Sequence, residues 1–412
     1  MGDRGFMALS ATMSRSSLAL HNLRAVVILV VLAFHAVLAY VQFIPAERAT
    51  AFDQPPYLWR AFPIADPHRW FGFDLFCAWQ DVYLMAMMFL LSGLFVWPSL
   101  QRKRSVGFVR DRLRRLGVPY VFGLLVLNPI AFYPAYLNLG GEPSIAAYLR
   151  TYTGLPFLPN AQLWFLWQLL AFNIVLVAVN FVAPAAIPAL GRWCAKAGRR
   201  PAIFFAVLFA VSAVAYVPLA VAFTPWAWSN SGILSVQWCR PLLYCVYFFV
   251  GVGIGTAGLD VGLVDVDGAL GRHWKLWLAI ALATLFLWMG VTSLTLDGTA
   301  PVIIQILAGV CFVLACAGGC FFVIASSLRF GLKRSAALDS LSVNAYSLYL
   351  VHYVPTVWLQ YALVGAPLFA LLKGIIVFCG SVIASWVTIL LYQRIPSALR
   401  LIFTRSHRAA AE

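Results

Sequence analysis

The sequence predicts an all-α integral membrane protein, with about ten transmembrane helices in one bundle and both termini cytoplasmic. Composition is the first ground. Hydrophobic residues make up 63% of the chain and charged residues 10%, against roughly a quarter charged in soluble domains, and no water-facing fold hides that much apolar surface. The second ground is run length. About 20 apolar residues cross a bilayer as a helix, and such runs fall at 22–43, 80–98, 116–136, 162–183, 202–222, 236–257, 274–294, 302–326, 342–363 and 370–392. The third is the placement of charge. Arg4, Arg15, the run from Arg102 to Arg115, Arg192, Lys196, Arg199, Arg200, Arg272, Lys275, Arg329, Lys333, Arg334, Arg394, Arg400, Arg405 and Arg408 share one side of the alternating spans. Arg48, Arg60, Arg69, Arg150 and Lys373 hold the other. The richer side is cytoplasmic by the positive-inside rule, and an even number of spans returns both ends to it. The net charge of +15 is thereby assigned to topology, with the lipid bilayer and no nucleic acid as partner.

Taken in order, residues 1–20 are small, polar and unpatterned and read as a flexible cytoplasmic arm. Residues 21–395 form the transmembrane domain and 396–412 a basic cytoplasmic tail. The first apolar run is longer than a signal-peptide core and lacks a small-residue cleavage site, so it is a retained helix. The external loop at about 44–79 gathers Pro45, Pro55, Pro56, Pro63 and Pro67 with Tyr57, Trp59, Trp70, Phe71 and Phe73, and it closes on Asp74 and Asp81. Such aromatics either stack on a sugar or sit in an interfacial belt. Asp81 is a candidate for a substrate cavity. The loop 258–273 carries Asp260, Asp265 and Asp267 without the ligand series of a calcium loop. Cys77, Cys194, Cys239, Cys245, Cys311, Cys316, Cys320 and Cys379 show no CxxC pairing and read as small buried residues, with no metal site.

Ionisable groups inside a span are costly and mark function first. His35 lies mid-way in the first run, and Arg24 precedes it by eleven residues, which at about 100° per residue puts both on one helix face roughly 16 Å apart. That stripe joins a cation at the cytoplasmic mouth to an imidazole within the bundle. His35 is then either a general base beside an acyl donor whose phosphates sit near Arg24, or an imidazole bonded to a neighbouring helix. In the ninth run, Tyr349, His352 and Thr356 follow one another at helical spacing and either line a cavity or join helices. Arg112 and Arg115 belong to a cytoplasmic cluster that either holds the phosphates of coenzyme A or serves as an ordinary topology signal and contact for anionic lipid headgroups. No nucleotide-binding glycine loop or serine nucleophile elbow is present.

Together these features resemble the membrane acyltransferase-3 family over about residues 18–395. The resemblance rests on Arg24 and His35 in the first span, Phe89-Leu-Leu-Ser-Gly93-Leu-Phe in the second, Arg112 and Arg115 before Pro119, Gln162-Leu-Trp164-Phe165-Leu166, and Asn344-Ala-Tyr-Ser-Leu-Tyr349-Leu-Val-His352. It implies an enzyme of the bacterial inner membrane that moves an acyl group, acetyl or succinyl, from cytoplasmic acyl-CoA to a hydroxyl of an extracytoplasmic carbohydrate or glycolipid, with no tightly bound cofactor. His35 is implied as the base, with Arg24 as its basic partner and a donor contact, and Arg112 and Arg115 as donor-phosphate contacts. His352, Tyr349, Asn344, Trp164 and Asp81 are candidates for the substrate cavity. Many relatives carry an acid where this chain has His21, so any acid that orients Arg24 comes from elsewhere. The alternative is a transporter or flippase with Arg24, His35 and His352 along its pathway. The sequence leaves the oligomeric state open.

Overall fold

The computed structural model describes residues 13–44 and 51–394. The expected arm through residue 12 with Arg4, residues 45–50 with Pro45 and Arg48, and the tail with Arg400, Arg405 and Arg408 lie outside the described residues.

Helix α1 (Arg15–Val37) starts where the Ser14 hydroxyl accepts the Ser17 amide at 3.2 Å, satisfying a backbone donor that the first turn leaves unpaired. It is the hub of the bundle, buried along most of its length from Ala19 to Val37. Against it pack α2 (Phe71–Gly93), α13 (Val302–Phe330), α14 (Ala336–Val351), α15 (Tyr353–Ala362) and α16 (Ala370–Arg394). A second group joins α10 (Pro241–Ala257) to α2 and to the short α8 (Ala186–Ala197), while α9 (Pro201–Phe223) and α12 (Trp274–Ser293) flank α13. The α2–α10 contact is close because it is made by glycines. A Cβ at Gly93 would overlap the Phe248 carbonyl, and one at Gly255 the Leu94 carbonyl.

Helix α2 starts at Phe71, well before the expected position 80, so Asp74 lies on the helix with Asp81 and not in the loop. The Asp74 carboxylate accepts the amides of Gln42 and Phe43, both at 2.8 Å, and ties the start of α2 to the end of α1. The third expected span is much longer than its apolar core. It runs Val96–Asn138 as α3 (Val96–Arg112), a π-helical turn Leu113–Gly117, α4 (Val118–Phe122), a second π turn Gly123–Leu127, and α5 (Asn128–Asn138). Arg104, with φ of 57°, breaks α3 after its first turns. Beyond α5 lie the surface helix α6 (Ile145–Thr153) and α7 (Trp164–Val182).

Among the described residues, eight helices are long and apolar enough to cross a membrane, or nine counting Pro241–Ala257 with Gly262–Arg272, which ends in the short α11 (Ala269–Arg272), a pair bent by 83°. The expected count of ten differs for physical reasons. The sixth run turns sharply at Gly258, where φ of 101° suits glycine, and its start is taken by a hairpin of β1 (Trp228–Ser231) and β2 (Leu234–Gln237). The ninth run is divided at His352 into α14 and α15, because Pro355 has no amide to give Val351 and crowds that carbonyl. The bulk of the chain is nevertheless helical and apolar, an all-α membrane protein.

Candidate functional site

The division between α14 and α15 falls against α1 and makes the site. His352, fully buried, places Nδ1 2.7 Å from the Tyr349 carbonyl and 3.3 Å from that of Leu348. A carbonyl only accepts, so Nδ1 of His352 carries the proton and Nε2 is an acceptor. That Nε2 lies 3.2 Å from Nδ1 of His35. His35 Nδ1 is also 2.9 Å from the Val31 carbonyl one turn back, so it too is the protonated nitrogen. The lone pair of neutral His35 therefore sits on Nε2. The ring is half-buried, edge-on to Phe34 and Tyr353 at 5.5 and 5.4 Å between centroids. Gln360 of α15 donates to the carbonyls of His35 and Ala36 at 2.8 and 3.1 Å, which fixes the end of α1 that carries His35.

The remaining candidates divide. Tyr349 belongs to the site. Its carbonyl orients His352 and its hydroxyl donates to the Gln162 carbonyl, while the Gln162 amide reaches Leu350 O at 3.4 Å. Asn344 is elsewhere, donating to Ser340 O and accepting from Gln393, both at 2.9 Å. Trp164 stacks near Tyr244 at 5.8 Å and meets Trp228 at 5.7 Å. Asp81 forms a two-pronged pair with the buried Arg240, at 2.8 and 2.6 Å. The structure thus brings His35, His352 and Tyr349 together and leaves Asn344, Trp164 and Asp81 in other packing.

Arg24 lies over the Phe95 ring at 5.0 Å and has no hydrogen-bond or carboxylate partner among the described residues. Its neighbour His21 is 3.5 Å from Asp339 of α14, which also approaches Arg334 at 3.6 Å. The acid missing from the first helix is supplied on α14, next to His21 and not in contact with Arg24. Arg112 lies over Phe108 at 4.7 Å with its buried Nε unpartnered. Arg115 is held by Asp111 at 3.0 Å, and Asp111 by Lys103 at 2.9 Å. The π turn displaces the helix ladder there, a feature frequent at functional sites, and Tyr346 donates to the Arg115 carbonyl at 2.6 Å.

Sequence reasoning missed the part played by four residues. Gln360 could be found by continuing the helical spacing from His352 past Pro355, whereas Tyr353, next in sequence to His352, lies off that spacing and meets His35 edge-on. Arg240 at the mouth of a span and Lys373 inside one were visible as charges in apolar context, but their partners Asp81 and Asp66 are distant in sequence. The aromatic first long loop is packing rather than a free stacking platform in one respect: Trp59 is buried, stacked on Phe52 at 4.1 Å and bonded to its carbonyl at 2.9 Å.

Fold and site define a polytopic membrane protein with two histidines in contact in its interior. The acyltransferase-3 family model, an acyltransferase domain, matches residues 17–390, and the chain belongs to that family. Membership supports acyl transfer over transport as the activity of the chain. No curated protein and no solved structure matches it.

Proposed function

We propose that the protein transfers an acetyl or succinyl group from cytoplasmic acyl-CoA to a hydroxyl of an extracytoplasmic carbohydrate or glycolipid, in the inner membrane of a bacterium, with His35 as general base. The observation that carries this reading is the pair of contacts at His35 Nδ1, Val31 O at 2.9 Å and His352 Nε2 at 3.2 Å, which leave Nε2 as the basic nitrogen. Arg24 and Arg112, which lack a carboxylate partner among the described residues, are the arginines the family resemblance assigns to the donor phosphates, and Arg115 completes the set with its charge shared by Asp111.

The steps follow. Nε2 takes the proton of the acceptor hydroxyl as its oxygen bonds to the thioester carbonyl carbon. The C–S bond of the resulting tetrahedral adduct then breaks, an O-acyl ester forms, and the imidazolium returns its proton to the leaving thiolate to give free coenzyme A. General-base assistance of this kind contributes about 10²–10⁴ in rate. Mass spectrometry of envelope glycans and lipids from cells with wild-type protein, with His35→Ala and without the gene tests it. The wild type alone should carry an added acyl mass, and equal acylation by His35→Ala at equal expression would refute the base.

A further inference from the structure

We infer that His352 is a positioning residue for His35: it receives the His35 Nδ1 proton in a hydrogen bond, holds the ring in the Nε2-basic form and steadies the imidazolium formed during transfer. This rests on His35 being the base, as proposed above. The geometry carries it. His352 is fully buried on a broken helix, and its own Nδ1–H is committed to the Tyr349 carbonyl at 2.7 Å. That commitment leaves Nε2 as an acceptor, and the donor it faces is His35 Nδ1 at 3.2 Å. The break is part of the device, since the turn before Pro355 gives Tyr349 O to the imidazole. The base of His352 is held in turn, its carbonyl accepting from the Thr356 hydroxyl at 2.7 Å, which meets Ser381 at 3.0 Å.

The consequence is chemical. When His35 gains a proton on Nε2, its Nδ1–H becomes a charged donor, and a bond to a neutral nitrogen acceptor strengthens. A ring without this partner also loses half of what fixes its orientation, since only Val31 O remains. The dyad does for a neutral pair what an orienting carboxylate does for a catalytic histidine elsewhere, without placing an anion in the membrane.

The test uses native membranes containing the full chain, with acetyl-CoA and succinyl-CoA supplied separately, and follows coenzyme A release across donor concentrations. His352→Leu removes the acceptor, His352→Gln puts an amide oxygen near the Nε2 position, and His352→Asn reaches only the helix carbonyls. Loss of an orienting partner typically costs on the order of 10–100-fold. Leu and Asn should lower kcat by that factor with donor KM unchanged, and Gln should recover most of it. His35→Ala and the double variant His35→Ala/His352→Leu should be equally inactive. Size-exclusion profiles and thermal unfolding of the detergent-purified variants confirm folding; if the Leu variant fails to accumulate, the Gln and Asn pair carries the comparison. Full activity in folded Leu, equal impairment of folded Leu and Gln, or equal recovery by Asn and Gln overturns the inference while leaving His35 as the base. Retained activity in His35→Ala overturns both.

Discussion

At His35 the outcome depends on which nitrogen holds the proton, and this is decided by two bonds to Nδ1. The arginines divide by the same kind of accounting. Arg115 shares its charge with Asp111 at 3.0 Å, whereas Arg112 has a buried, unpartnered Nε. Replacement of Arg112 by Gln should therefore raise donor KM about tenfold, the loss of roughly one charged hydrogen bond, and replacement of Arg115 by Gln should raise it less; initial rates against acyl-CoA concentration measure both. The Arg24 to His35 stripe was legible because helix periodicity alone puts the two on one face. The contact of His35 with His352 was not, since it spans 317 positions and nothing in spacing along one helix reports which other helix lies opposite. Asn344 misled for the same reason: its place in a motif said nothing of Gln393, which occupies its amide oxygen.

Among the elements, the ninth span shows how a break becomes useful. Hydropathy reads 342–363 as one span, and the chain does follow helical dihedrals through His352, with φ of −58°. Proline in a helix removes one amide bond and crowds the carbonyl four residues back, so Pro355 was a sequence signal that hydropathy passed over. Pro355→Ala should close the helix, draw Tyr349 O back into the backbone ladder and free the His352 ring. The expected result is lower transfer with thermal stability equal to or above wild type; lower stability with unchanged transfer would show that the break serves packing. The π turns at Leu113–Gly117 and Gly123–Leu127 left no sequence mark, since local propensity does not separate them from α-helix. The third span outran its expected start because the basic run is itself helical and carries Arg112 and Arg115 on the same rod.

At the scale of the molecule, long-range polar pairs hold the connection between loop and bundle. Asp66 of the first long loop and Lys373 of α16 are both fully buried and meet at 2.7 Å, with His68 3.3 Å from the carboxylate. Removing one partner of such a pair typically costs about 3–5 kcal/mol, because the other charge stays buried. Lys373→Met should accordingly lower the thermal midpoint of the purified protein clearly, and a second change, Asp66→Asn, should restore part of the loss. Gly93→Ala should also destabilise, since its Cβ would overlap the Phe248 carbonyl at the α2–α10 contact; unfolding in detergent measures each. The membrane class was legible because it depends on composition, which adds along the chain. The way the spans gather around α1 was not, because apolar surfaces do not name their neighbours. The account as a whole turns on transfer at His35. Membranes bearing wild type or His35→Ala, at equal expression, are given acyl-CoA labelled in the acyl group, and label in the glycan and lipid fractions is counted. The account predicts labelled acceptor with wild type and a fall of about 10²–10⁴ with the variant; equal labelling in both would contradict it.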